Sequence, residues 1–171
     1  MHLIKLLSLF TTILLLSGCL EDLNPESKDK RTAADLAPSV SQDFTATTTL
    51  NEIINLEQEL LTYDALVLYF TMWCPLCDSH MNHMRSQLIK AYPNARFLMV
   101  DYVSGSISQS YSSQLANGHG DLTLISDYQQ TLLHLYDATM ASVIVINDQK
   151  SILLNEDYKN GARLIETLEN L

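Results

Sequence analysis

Blocks of apolar and polar positions succeed one another along this chain, and their periods predict most of its elements. After a basic start, Met1 to Lys5, an uncharged apolar run covers Leu6 to Leu16. Glu21 to Gln42 is polar, with two prolines and no aromatic residue, which reads as a flexible tether. From Asp43 onward the pattern becomes that of a folded domain. Phe44 to Thr48 is Thr-rich and reads as an edge strand. Thr49 and Glu52 match a capping box ahead of Leu50, Ile53, Ile54, Leu60 and Leu61, predicting a helix to about Tyr63. Ala65 to Phe70 is a short apolar run of the kind a strand buried on both faces shows. A helix is expected from Cys74 to about Tyr92, because Cys77, Met81, Met84 and Leu88 fall on one stripe before Pro93-Asn94. Arg96 to Val103 is the next strand, followed by a short helix over Ser108 to Ala116 that ends at Asn117-Gly118. Leu122 to Ser126 is a further strand, and Asp127 caps a helix to about Tyr136. Ser142 to Asn147 and Ser151 to Asn155 form a hairpin around Asp148-Gln149. The chain closes with an amphipathic helix from Gly161 to Leu171. Strands and helices in this order predict an α/β fold, a central mixed sheet flanked by helices on both faces.

Composition narrows the function classes. The chain has 171 residues and a formal net charge of −10, with 47% hydrophobic and 18% charged residues. That suits one globular domain. Only ten Lys and Arg are spread along it, which argues against a nucleic-acid partner. Three cysteines cannot build a disulfide framework and fall short of most structural zinc sites.

The leader accounts for one of them. Its uncharged stretch ends at Glu21, short of the roughly 20 residues of a membrane-spanning helix, and so reads as an export signal. The quartet Leu16-Ser17-Gly18-Cys19 resembles the lipobox of bacterial lipoproteins. The resemblance implies cleavage before Cys19 and acylation of that residue, and two or more acyl chains anchor stably. It divides the chain into a signal peptide at 1–18, a lipidated tether at 19–42 and a domain at 43–171. It places the domain in the cell envelope, facing the periplasm or the extracellular side, and Leu20 in place of Asp points to the outer membrane.

The other two cysteines carry the chemistry. In Trp73-Cys74-Pro75-Leu76-Cys77 a buried strand runs into a helix, with Cys74 at the helix start. Unpaired backbone N–H groups and the helix dipole there are expected to lower the Cys74 pKa. Pro75 suits the first helical position, which needs no N–H. Cys74 is then the exposed nucleophile, and Cys77, one turn on, the shielded resolving thiol. The Trp-Cys-x-x-Cys segment after an apolar strand resembles the active site of the thioredoxin superfamily. The inserted strand and helix, with Ile125-Ser126-Asp127 and Leu135-Tyr136-Asp137, resemble the TlpA-type redoxin subgroup. That resemblance runs from Asp43 to Leu171. It implies a membrane-anchored thiol–disulfide oxidoreductase that needs no cofactor. Its partners would be exported protein disulfides and a thiol–disulfide protein that resets the pair. Trp73, Pro75, Leu76, Ala141 and Ser142 are the residues expected to line the site.

Two positions depart from the family pattern. The chain has no proline from Asn94 onward, so the family's cis-proline is replaced near Ser142, or at Ala141 one residue earlier, where a trans bond is expected. Leu68 stands six residues before Cys74, where many thioredoxins carry a buried acid, leaving no proton acceptor named for Cys77.

Other readings compete. Cys74, Cys77, His80 and His83 form C-x2-C-x2-H-x2-H, a metal-ligand series. On one helix Cys74 and His83 would lie about 180° apart and roughly 13.5 Å along the axis, too far for one ion. A Cu(I) site of Cys74 and Cys77 with His80, a methionine or a distant histidine is the alternative. Met81 and Met84 read as core, and His80 and His83 as a solvated rim. Thr71-Met72-Trp73-Cys74 resembles the Thr-x-x-Cys of peroxiredoxins, but Val67 replaces their proline and Ser142 to Asn147 holds no arginine. A purely structural Cys74–Cys77 bridge would close too short a loop to add much stability. His119 and His134 read as incidental, and Asp101 as a strand-end cap or a redox-tuning acid.

Overall fold

A computed structural model describes residues 39–171, so the expected signal peptide, Cys19 and most of the expected tether, at residues 1–38, lie outside the described residues. The central sheet has five strands in the order β5-β4-β3-β6-β7. They are β3 (Ala65–Thr71), β4 (Ala95–Asp101), β5 (Leu124–Ser126), β6 (Ser142–Asn147) and β7 (Ile152–Asp157). β3 lies at the centre, parallel to β4 and antiparallel to β6. All seven of its residues are buried, as the unbroken apolar run requires.

Side chains of β3 divide strictly by parity. Ala65, Val67 and Tyr69 face the layer of Met81, Met84, Leu88, Leu164 and Leu168. Leu66, Leu68 and Phe70 face the opposite layer with Phe44, Leu56, Leu132 and Tyr136. The first layer is built by α2, which starts as Pro75–His83, widens into a π-turn at Met84–Leu88 and finishes as Ile89–Ala91, and by α5 (Ala162–Glu169). The expected stripe Cys77, Met81, Met84 and Leu88 is buried throughout. The second layer holds α1 (Leu56–Leu60) and α4 (Thr131–Leu135), beside a hairpin of β1 (Thr45–Thr47) and β2 (Ile53–Asn55). Between β4 and β6 the chain inserts α3 (Ile107–Ala116), β5 and α4.

The segment after β1 corrects the capping-box reading. Thr48, not Thr49, organises it: its Oγ1 accepts from the N–H groups of Leu50 and Glu52. Asn51 takes φ +63°, which turns the chain back into β2, where β-branched Ile53 and Ile54 pair with Thr47 and Ala46. The Thr49 hydroxyl is spent on Gln114 at 2.6 Å. Helix α1 therefore starts only at Leu56, capped by Asn55, whose Oδ1 accepts from Gln58 N–H at 3.0 Å. Asp127 does cap α4, with its two oxygens taking the N–H groups of Leu132 and Leu133, a contact contributing about 1–2 kcal/mol.

Backbone contacts to the sheet extend N-terminal of Asp43, to Ser39. Val40 bridges to Ser151, Ser39 C=O accepts from Ile152, and Ser41 N–H donates to Lys150 C=O. These contacts lie beside the β6–β7 turn. Asn147 pairs there with Ala65, the first residue of β3.

Candidate active site

The site forms where β3 hands over to α2. Thr71 ends the strand in register with Asp101 of β4 and is fully buried. Its Oγ1 accepts from Trp73 N–H at 3.2 Å, and Trp73 takes φ +59°, which turns the chain sharply. Cys74 then occupies the N-cap of α2 in an extended conformation, with Pro75 opening the helix as expected. The Cys74 sulfur accepts from Cys77 N–H at 3.2 Å, the role a capping side chain normally fills with oxygen. Both cysteines are free thiols, with their sulfurs 2.7 Å apart. Cys77 is fully buried and Cys74 half-buried. Cys74 is thus the more reachable sulfur and Cys77 the shielded one.

The protonation preferences differ from the sequence expectation. Burial and the side chain of Cys77 push the Cys74 thiol up, against the backbone N–H of Cys77. Cys77 is held down: burial raises it, but hydrogen bonds from Cys74, the backbone of Met72 and Cys74, and the Thr71 side chain outweigh that. The helix start does supply an N–H to Cys74, yet more donors converge on the inner sulfur. The surroundings therefore favour the thiolate of Cys77 over that of Cys74. The short S···S contact gives a proton a path between the two sulfurs.

Around Cys74 the surface is apolar. Met72, Leu76 and Met140 are 41%, 51% and 38% exposed. Met140 was not among the expected site residues, yet its thioether lies 3.6 Å from the Cys74 sulfur, where it accepts from the thiol. It belongs to the loop that leads through Ala141 and Ser142 into β6. Ala141 is the residue in the unusual conformation there, with φ +64°, and every peptide bond among the described residues is trans. Its N–H donates to Phe70 C=O and its own carbonyl accepts from Tyr158 N–H. Ser142 points inward, its Oγ accepting from Thr139 N–H at 2.8 Å.

Beneath Cys77 lies a cluster that the sequence reading placed at the surface. His80 is buried, and its Nδ1 lies 3.0 Å from the Tyr69 hydroxyl. Tyr69 also hydrogen-bonds Cys77; burial and the nearby Cys77 charge hold its pKa far above the ordinary tyrosine value. Burial and His83 depress His80, partly offset by its hydrogen bond to the Lys159 backbone. His83 Nδ1 is 2.6 Å from the Tyr158 hydroxyl, and Tyr158 is pushed up to about 12 by burial. The solvated-rim reading of His80 and His83 is thereby corrected: Tyr69 and Tyr158 draw both rings inward. Among the described residues no group of three or more His, Cys, Asp or Glu converges.

The remaining candidates are structural. His119 is buried rather than incidental, with Nε2 2.7 Å from Asp78 Oδ1, and so ties α2 to the loop before β5. His134 is exposed on α4. Asp101 caps the strand end, its Oδ1 accepting from Val103 and Ser104 N–H, while its buried Oδ2 makes no hydrogen bond. Thr71 serves Cys77 and Trp73 rather than Cys74, unlike the arrangement the peroxiredoxin resemblance implies.

No protein-family model matches the sequence, and no curated protein matches it. Solved structures do resemble the fold. An exposed lipoprotein thioredoxin of Streptococcus pneumoniae superposes with a TM-score of 0.62 at 17% identity, covering 76% of this chain and all of that one. A protein described as a thiol:disulfide interchange protein, DsbE, from Chlorobium tepidum gives 0.62 at 16% identity, covering 78% of this chain and 95% of that one. A peroxidoxin from Mycobacterium tuberculosis gives 0.64 at 16% identity, covering 82% and 97%. The fold is thioredoxin-like.

Proposed function

We propose that this protein is a thiol–disulfide oxidoreductase that acts on disulfides of exported proteins and is held in the cell envelope by lipid on Cys19. The observation that carries the chemistry is a reachable thiol, Cys74, with the shielded Cys77 sulfur 2.7 Å behind it at a helix start. Cys74 attacks a substrate disulfide and forms a mixed disulfide while one substrate sulfur leaves as thiolate. Cys77 then attacks Cys74, releases the second substrate sulfur and closes the Cys74–Cys77 bridge. Two electrons pass from the dithiol to the substrate, and a second thiol–disulfide protein restores them. The apolar rim of Met72, Leu76 and Met140 suits an extended or unfolded chain, and no organic cofactor enters any step. The envelope location rests on the lipobox-like quartet and the polar stretch after it. The thioredoxin-like relatives include a lipoprotein, which is consistent with that reading.

Cys77→Ser leaves the attacking sulfur without its resolving partner. In cells it is expected to accumulate mixed disulfides that vanish on reduction and are absent when Cys74 is also replaced. An empty trap would defeat the oxidoreductase reading. For the anchor, Cys19→Ser is expected to abolish labelling by a fatty-acid analogue and to move the protein out of the membrane fraction. Unchanged fractionation of that variant would refute the lipid attachment.

A further inference from the structure

The dithiol cycle leaves one proton to be placed. When Cys74 attacks, its proton passes to Cys77, and Cys77 must lose it again before it can resolve the mixed disulfide. Cys77 has no solvent exposure, so bulk water reaches it poorly. The hydroxyl groups of Thr71 and Tyr69 both lie beside its sulfur. Of the two, only Tyr69 is itself bonded to a base, His80 Nδ1 at 3.0 Å. The Lys159 backbone also hydrogen-bonds His80, and with the ring proton on Nε2 the Nδ1 atom accepts from the Tyr69 hydroxyl. His80 lies one turn after Cys77 on α2, and Tyr69 lies two residues before Thr71 on the same face of β3. Helix and strand thus bring sulfur, hydroxyl and imidazole into one chain.

We propose that Tyr69 and His80 form the proton relay that activates Cys77 for the resolving step, in place of a buried carboxylate. The proposal rests on the dithiol reading above. The Cys77 S–H bond breaks and its proton goes to the Tyr69 oxygen, while the Tyr69 proton goes to His80 Nδ1, giving an imidazolium. The Cys77 electron pair forms the bond to the Cys74 sulfur, and the substrate sulfur leaves with the pair of the broken bond. The imidazolium returns its proton through Tyr69 to the departing thiolate or to water that replaces it. Burial of His80, which disfavours its charged form, drives that return. Tyr69 touches the reacting sulfur and is a catalytic residue; His80 acts through it and is a positioning residue. The titratable groups facing the relay are Cys77 and Cys74 at the helix start, His83 one turn on, and Tyr158 from the β7–α5 connection.

The test uses the reduced chain carrying Cys19→Ser, so that only Cys74 and Cys77 react, and dithiobis(nitrobenzoate) as the probe. The first coloured thiolate released reports Cys74 attack, and the second reports resolution by Cys77. In Tyr69→Phe the first phase is expected to change less than about 3-fold, and the second to slow by about 10²-fold at pH 7, recovering as hydroxide takes over at higher pH. His80→Gln keeps an acceptor oxygen for the tyrosine but cannot hold a proton. It is expected to slow the second phase similarly and to flatten its pH profile near neutrality, at a thermal midpoint close to that of the parent. It carries the test if Tyr69→Phe folds poorly. Second phases within about 3-fold of the parent in both variants, with unchanged pH profiles, would overturn the relay alone. A parent protein that releases no first equivalent would overturn the dithiol reading and the relay with it.

Discussion

Leu68→Asp is expected to abolish stable folding at neutral pH, although it introduces the acid that many thioredoxins carry six residues before the first cysteine. Leu68 is fully buried, in register with Leu98 of β4 and Ile144 of β6. Its side chain faces Leu66, Phe70, Val100 and Leu132, the layer away from Cys77. Losing the leucine costs about 2–3 kcal/mol of burial. A carboxyl among those side chains finds no partner, and its desolvation adds several kcal/mol more. Against a typical domain stability of about 5–15 kcal/mol, little remains. The sign of the pH dependence follows from burial, which raises the folded-state pKa of the new acid. The unfolded chain ionises above about pH 3.9 while the folded one resists, so the variant loses stability as pH rises from there and regains it toward pH 4. Urea unfolding between pH 4 and 8 measures both effects. A midpoint near that of the parent at pH 7 would mean that position 68 opens toward the dithiol.

Ala141→Pro is the second large expected effect, and it too installs a residue typical of the fold. The native φ of +64° is one that proline, held near −65°, does not reach. Proline also removes the N–H that donates to Phe70 C=O at the end of the central strand. Together these are expected to cost at least about 3 kcal/mol and to pull Met140 away from the Cys74 sulfur. Both denaturant midpoint and the rate of mixed-disulfide formation should fall. Ala141→Gly is the control, since a left-handed alanine costs about 1–2 kcal/mol that glycine does not incur. It should fold at least as stably as the parent, less the small loss of a buried methyl group. Parent-like stability in Ala141→Pro would show that the loop adopts another conformation.

Both positions depend on more than local pattern. The buried strand, the helix stripe and the cysteine pair at their junction were legible because each depends on local pattern alone. The two layers were not, because a strand buried on both faces shows no alternation. Counting back from Cys74 by the family's spacing lands on Leu68, whereas the parity of Thr71 leads to Tyr69. His80 was readable in principle, since residues three apart on a helix share a face, but only a known partner across the layer makes it more than a polar rim. Met140 reaches Cys74 across 66 residues of chain, a contact no local signal carries. The capping-box pattern at Thr49 and Glu52 failed for a local reason. The same kind of side-chain bond, made one residue earlier by Thr48, closed a turn instead of starting a helix.

The docking of Ser39 to Ser41 beside the β6–β7 turn also sets an orientation. That turn adjoins Ala65, while Cys74 follows Thr71 at the opposite end of the same strand. Seven residues of strand separate the two ends by about 20 Å. Whatever holds this protein from its N-terminal side therefore pulls on the pole remote from the sulfur. With lipid on Cys19, as proposed above, the polar stretch would join the domain at the pole remote from the sulfur and leave the reactive end clear of its own tether.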